Sequence, residues 1–450
     1  MIERGRHFIK APWAGGVVLV AFVVIAMLLA NLSATHELYH HLLNADLTLQ
    51  LGDRFSFSLD VEKFINDGLM VVFFFVVGLE IKREMIEGQL SSFRQAILPV
   101  VAALGGMLAP ALIFIAFNAG SDYAGGWGIP TATDIAFAIG IMSLLGDKVP
   151  LSLKVFLTAL AIADDLGAIV VIALFYGGTI NWLCLGLIVV LMAVLWFFRR
   201  AGIYKVGYYL VPAIVIWYLF YNSGVHATIS GVLMAMIIPY HPEMKKKIFL
   251  HKLNYQVEDF KFHDKEGMEV TRNDEQHHDL VEIRQLATQA MGMSQRFEHL
   301  LNPYVTFIIM PIFALANAGV EISGWHELAI FSNTLGLGVF FGLLLGKPLG
   351  IFGASWIAVK LKLAAKPQGS WKMLFAVACL GGIGFTMAIF VDTLAFASNP
   401  AIVDEGKISI LMGSIAAALL GTLLILLTDK SERTGGPKGP DAAQQDKKVS

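Results

Sequence analysis

Runs of about twenty apolar residues, almost free of charge, recur along the whole of this 450-residue sequence. That is the length at which an α-helix crosses the ~30 Å hydrocarbon core of a bilayer. Composition agrees, with 56% hydrophobic and only 15% charged residues, where a soluble domain carries ~25% charged. A formal net charge of −2 gives no reason to expect a nucleic-acid partner. The two cysteines, Cys184 and Cys379, both fall inside apolar blocks and suggest neither a disulfide framework nor a metal site. Arg4, Arg6 and Lys10 precede the first apolar run as in a signal peptide, but the run is long and no small-residue cleavage pattern ends it. It reads as a retained first spanning helix.

Apolar blocks lie near residues 12–31, 64–81, 96–117, 127–145, 151–176, 181–198, 206–221, 223–239, 303–320, 333–358, 373–396 and 408–427. Lys and Arg accumulate on the cytoplasmic side of a membrane protein, so the loops test the count. The N-terminus and the loops with Lys82, Arg83 and Arg94, with Lys148, with Arg199 and Arg200, with Lys245 to Lys247, and with Lys360 to Lys372 are basic. The loops between them are acidic or uncharged, including Asp46 to Asp60, Asp122, and Glu321 with Glu327. This alternation predicts an all-α polytopic membrane protein of twelve transmembrane helices with both termini cytoplasmic. The chain then divides into helices one to eight (1–240), a cytoplasmic loop (241–302), helices nine to twelve (303–428) and a disordered tail (429–450). The first external loop alternates apolar and polar residues on either side of Gly52-Asp53. That predicts a β-hairpin at about 46–59, which either pairs with a second copy or packs on the helix ends. In the cytoplasmic loop, Leu280 to Leu300 have the spacing of an amphipathic helix, and the charged stretch from Lys245 to His278 reads as mobile.

Ionisable residues inside apolar blocks carry the strongest functional signal. Each opposes insertion by ~2.5–3.5 kcal/mol at a helix centre. Asp164 and Asp165 stand side by side at mid-depth of the fifth block, with no equally placed basic partner in that helix. The plain alternative is two satisfied polar residues at a helix interface. Adjacent helical positions differ by ~100°, so the two carboxylates flank a cavity rather than share a face. Close together in a low dielectric they do not ionise independently. They can exchange protons for a hard cation that prefers oxygen ligands.

The fourth block holds Gly128-Ile-Pro-Thr-Ala-Thr-Asp134, where Pro130 removes a backbone donor and Thr131, Thr133 and Asp134 favour caps. A corresponding break, Gly381-Gly-Ile-Gly-Phe-Thr386, interrupts the eleventh block. Paired interruptions of this kind point to a transporter site. If the half-helices face one another, Asp134 neutralises their N-termini and a cation is needed at their C-termini. Lys347 is the candidate cation, in a tenth block whose Gly338, Gly342, Gly346 and Gly350 predict close helix packing. Its Gly-Lys-Pro lacks the spacing and the Ser/Thr of a phosphate-binding loop. Asp67, His226, Asp392 and the cluster Glu80, Lys82, Arg83, Glu84 are weaker candidates. His226 reads either as a hydrogen-bonded helix histidine or as a sensor.

The segments Ala132 to Phe137, Ala161 to Ala168, Gly346 to Gly350, Gly381 to Met387, Val77 to Glu84, Ser223 to Thr228 and Phe313 to Gly319 resemble the signatures of NhaA-type Na⁺/H⁺ antiporters over roughly 8–240 and 296–428. The resemblance implies inverted-topology repeats with two crossing discontinuous helices, in a bacterial inner membrane. It implies Na⁺ or Li⁺ and protons carried at Asp164 and Asp165 with Thr133 beside them, and no cofactor. Asp134 and Lys347 would balance half-helix charge. Glu80, Arg83, Glu84, Glu298 and His299 match the family's pH-sensing region, and the external hairpin its homodimer contact. Three departures stand out: a longer cytoplasmic loop, Asn302 where relatives can have histidine, and the extra carboxylate Asp392. The expected activity is electrogenic, pH-regulated exchange of cytoplasmic Na⁺ for external H⁺ by a transporter that is not an enzyme. A Na⁺-coupled symporter of an organic solute is the alternative. An intramembrane aspartyl enzyme fits less well, because its two aspartates come from separate helices.

Overall fold

The computed structural model describes residue 11 and residues 13–51, 55–264, 269–270, 273–321 and 333–435. The basic N-terminal residues, the Gly52-Asp53 turn, Glu327 and the tail beyond 435 lie outside the described residues. The chain is a polytopic helical membrane protein. Lipid leaves no partner for a bare N–H or C=O, so helices satisfy the backbone within each segment. Among the described residues nine helices are long and apolar enough to span, or ten if Trp371–Leu380 and Phe385–Ala395, bent by 50°, count as one. The seventh and eighth apolar blocks also hold helices, but short ones: Gly207–Tyr221 has 15 residues and Ile229–Ile237 has 9. The eighth block gives up its first turns at Ser223–Ala227, where Gly224 adopts a φ of 81°.

By packing, the chain falls into two units. The first comprises residues 1–45, 84–172 and 311–450. Its centre is the Phe93–Asn118 helix against Thr334–Lys360. The glycine stripe makes that contact possible. A Cβ on Gly350 would stand 2.1 Å from the Gly105 carbonyl oxygen, and one on Gly346 would stand 2.7 Å from Pro110 Cα. A π-helical turn, Gly342–Gly346, ends at Lys347, a kind of irregularity that clusters at functional positions. The last helix, Pro400–Gly435, runs 36 residues. The tail expected to be disordered from 429 is therefore helical as far as 435.

The second unit comprises residues 46–83 and 173–310. Here strands Asp46–Leu51 and Phe55–Asp60 pair antiparallel, from Asp46 opposite Asp60 to Leu51 opposite Phe55. Asp60 then caps the following helix, accepting from Lys63 N–H at 2.7 Å. A core of Leu195, Tyr209, Ile216, Phe220, Met234 and Ile237 packs the helices Trp182–Arg200, Gly207–Tyr221 and Ile229–Ile237 together.

The long loop of residues 241–302, expected to be cytoplasmic, differs from expectation in its structure. The stretch read as mobile contains a helix, Lys246–Phe262, that packs against Asp274–Ala290. Polar contacts hold the pair: Gln256 donates to Asp279 at 3.0 Å, His263 meets Asp279 at 2.9 Å, and Gln276 donates to the Phe260 carbonyl at 3.1 Å. An apolar pattern does not report such a polar interface. The amphipathic spacing from 280 to 300 is shared by two helices, Asp274–Ala290 and Met293–Tyr304. They part at Gly292, where a side chain would stand 2.1 Å from the Tyr240 carbonyl oxygen.

Candidate functional site

The two predicted breaks are present and they meet. The fourth block is a tight helix, Ala124–Thr131, then an extended stretch, then Ile135–Leu144. The eleventh is Trp371–Leu380, the glycine stretch, then Phe385–Ala395. Asp134 N–H donates to the Ile383 carbonyl at 2.7 Å, and Thr133 Oγ1 donates to the Gly381 carbonyl at 3.0 Å. Gly384 permits this approach, since a Cβ there would stand 3.2 Å from the Ala132 carbonyl oxygen. Each interrupted backbone thus finds its missing partners in the other.

Asp134 serves both half-helix N-termini. Its Oδ1 accepts from Phe137 N–H at 3.1 Å and its Oδ2 from Thr386 N–H at 3.2 Å and from the Thr386 hydroxyl. One carboxylate thus caps the half-helix that follows it and also accepts from the first turn of the other.

Lys347 occupies the complementary position. Its ammonium donates to the carbonyl of Thr131, the last residue of the first half-helix, and to Asp164 Oδ2 at 2.7 Å. Lys347 is 0% exposed, and Asp164 and Asp165 are 1% and 3% exposed. Among the described residues the second carboxylate oxygen of Asp164, also buried, has no hydrogen-bond partner. Asp164 does have a basic partner, which a search within its own helix misses because it arrives from 183 residues further along the chain. Two lone opposite charges in separate apolar blocks were the only sequence signal of the pair. Thr133 lies in the break two residues beyond Thr131, with its hydroxyl engaged on the second break.

The other candidates separate into small groups. Arg83 forms an ion pair with Glu298, which is buried, while His299 is exposed. Glu84 accepts from Gln89 N–H at 2.9 Å, and Glu80 is half-buried. His226 sits elsewhere, 3.3 Å from Asp67 and 2.8 Å from the Thr228 hydroxyl. Lys82, read only as part of a charged helix end, is buried and donates to the Ala235 and Met236 carbonyls at 2.9 Å each and to that of Ile238. It closes the C-terminus of the short eighth helix, where a cation is favoured. Asp392 is fully buried, and among the described residues neither of its carboxylate oxygens has a hydrogen-bond partner.

Buried charges at two meeting broken helices, within a many-spanning helical chain, define a secondary transporter, an architecture of which NhaA is itself a type example. Residues 6–425 match the family model described as Na⁺/H⁺ antiporter 1. The chain is 45% identical to the Na⁺/H⁺ antiporter NhaA of Oleidesulfovibrio alaskensis, covering 93% of each. It is 43% identical to that of Acidithiobacillus ferrooxidans, covering 96% of this chain and 99% of the relative. It is 42% identical to NhaA 1 of Klebsiella pneumoniae, covering 94% and 96%. The chain belongs to the Na⁺/H⁺ antiporter 1 family.

Proposed function

We propose that the chain exports Na⁺ or Li⁺ from the cytoplasm in exchange for external protons, using Asp164 and Asp165 as a site for which protons and the metal cation compete. The observation that carries this reading is the buried pair of Lys347 with Asp164, next to a second buried carboxylate and beside both helix breaks. In this arrangement Lys347 holds the place a cation would take at Asp164. Entry of Na⁺ between the two aspartates displaces the ammonium. Protons leave the site as the cation binds, and the exchange is electrogenic, as the family resemblance implies. Asp134 keeps the two half-helix N-termini together while the site changes the side it faces, and Thr133 borders the ion path.

The reading extends to twelve spans in a bacterial inner membrane, with both termini cytoplasmic and helices three to five and ten to twelve as inverted repeats. Two copies associate through the external hairpin. The Arg83–Glu298 ion pair, with Glu80, Glu84 and His299 on neighbouring turns, responds to cytoplasmic pH, and His226 with Asp67 forms a separate titrating pair. The relatives bear antiporter names, which favours exchange over solute symport.

The test is dequenching of a ΔpH probe in everted vesicles containing the wild type or Asp165→Asn. Proton release on adding Na⁺ or Li⁺, abolished in the variant, is the expected result. Sealed vesicles holding the protein in which no monovalent cation collapses the gradient at any pH would overturn exchange.

A further inference from the structure

We propose that His36, His40 and Glu321 form a binding site for a divalent transition-metal ion, Zn²⁺ in the first instance. One ligand atom from each residue lies within 4.8 Å of the other two. Zinc bonds of ~2.0–2.1 Å in a tetrahedral site place ligands roughly 3.4 Å apart, so small side-chain rotations close the site.

Three features distinguish this group from a chance cluster of polar side chains. His36 and His40 stand at i and i+4 on the His36–Leu43 helix and so share a face. Their ring centroids are 4.6 Å apart. His36 Nδ1 lies 2.8 Å from the Ala30 carbonyl oxygen and must therefore carry the proton. That leaves the Nε2 lone pair directed outward, 4.0 Å from Glu321 Oε2. A backbone carbonyl on the far nitrogen is the usual device that fixes the tautomer of a metal-bound imidazole. His40 supplies the third feature: among the described residues its buried Nε2 has no hydrogen-bond partner, an omission a bound ion would repair.

The framework around the site is already assembled. Tyr39, between the two histidines, donates its hydroxyl to the Leu315 carbonyl at 2.6 Å. Asn31 Nδ2 donates to the Val320 carbonyl at 2.8 Å, next to Glu321. Gly319 leaves room for the Tyr39 hydroxyl, which a Cβ would approach to 2.2 Å. The helix and the segment carrying Glu321 are thus held in register before any ion arrives. Two imidazoles and one carboxylate suit Zn²⁺, Ni²⁺ or Co²⁺, and disfavour Mg²⁺ and Ca²⁺, which take oxygen ligands. Three protein ligands leave a position for water, so the ion would be exchangeable. When bound, it ties the helix following the first span to the segment following the ninth. This site is remote in sequence from Asp164 and Asp165 and does not depend on the transport reading.

The experiment is Zn²⁺ titration of the full-length chain in detergent, its purification tag removed, with excess Mg²⁺ present, followed by calorimetry. The expected result is one Zn²⁺ per chain, bound at least about 10-fold more weakly after His36→Ala or His40→Ala and unchanged after His41→Ala. Co²⁺ bound in its place should show the intense visible absorption of a tetrahedral site, lost in the same variants. Glu321 is exposed, so Glu321→Gln preserves the metal-free melting temperature while weakening Zn²⁺, which separates loss of a ligand from loss of folding. Absence of Zn²⁺ binding at millimolar concentration overturns the proposal. So does binding undiminished by His36→Ala, His40→Ala and Glu321→Gln, which would assign the ion to other histidines among the 12 in the chain.

Discussion

Lys347 Nζ lies 2.7 Å from Asp164 Oδ2, and neither side chain reaches solvent. The lysine donates to the last carbonyl of one half-helix, that of Thr131, and to a candidate ion-binding carboxylate at the same time. Any cation that takes Asp164 must therefore also change what happens at the Thr131 carbonyl. This links ion occupancy to the state of the broken helix through one side chain.

Removing the ammonium should leave Asp164 buried without compensation, since breaking a buried pair costs about 3–5 kcal/mol. Lys347→Met is expected to lower the melting temperature of the purified protein sharply. The double variant Lys347→Met with Asp164→Asn should recover most of that loss. A single variant as stable as wild type would show that the pair contributes nothing to the fold.

Asp134 accepts from two helix N-termini, and an N-cap is worth roughly 1 kcal/mol. Asp134→Ala should therefore destabilise by about 2 kcal/mol or more. Asp134→Asn keeps one acceptor oxygen and should lose about half as much. Chemical denaturation of the two variants in parallel decides the order. Equal losses would mean that charge, not hydrogen bonding, joins the breaks.

The glycine stripe gives a positional contrast within one helix. A methyl group on Gly350 would collide with the Gly105 backbone at 2.1 Å, whereas one on Gly353 would meet nothing within 4 Å. Overpacking of this kind costs about 1–3 kcal/mol. Gly350→Ala should lower the yield of folded protein in membranes, and Gly353→Ala should not. The comparison is read by fluorescence size-exclusion of solubilised material.

The helix pair Lys246–Phe262 and Asp274–Ala290 should loosen as pH rises. Asp279, hydrogen-bonded to His263, raises the pKa of the imidazole above its ordinary 6.5. Because the folded value lies above the unfolded one, the stabilisation is complete below pH 6.5 and is lost as pH climbs through the folded pKa. Hydrogen exchange in Lys246–Phe262 and Asp274–Ala290 should therefore be faster at alkaline than at mildly acidic pH once intrinsic rates are corrected. In His263→Gln that difference should vanish, and its persistence would assign the effect to another group.

The sequence by itself determined the class of fold, because burial in lipid is written into every spanning segment as length and missing charge. Loop basicity set an expected orientation in the same local way. It also marked both helix breaks, since Pro130 and the glycines from Gly381 to Gly384 act on their own backbone wherever they are placed. Asp164, Asp165, Asp134 and Lys347 were legible as candidates because a charge in an apolar block demands a reason.

Only the tertiary structure decided the partners. Nothing local says that Lys347 meets Asp164 rather than a helix end alone, or that Lys82 leaves its charged neighbours to cap Ile229–Ile237. The polar interface of Lys246–Phe262 with Asp274–Ala290 was invisible for a related reason: its contacts join side chains whose sequence pattern matches that of a solvated loop. A buried charge announces that it needs a counterpart, but which counterpart it finds depends on packing between segments far apart in the chain. Hydropathy, being a sum over neighbours in sequence, carries no term for that.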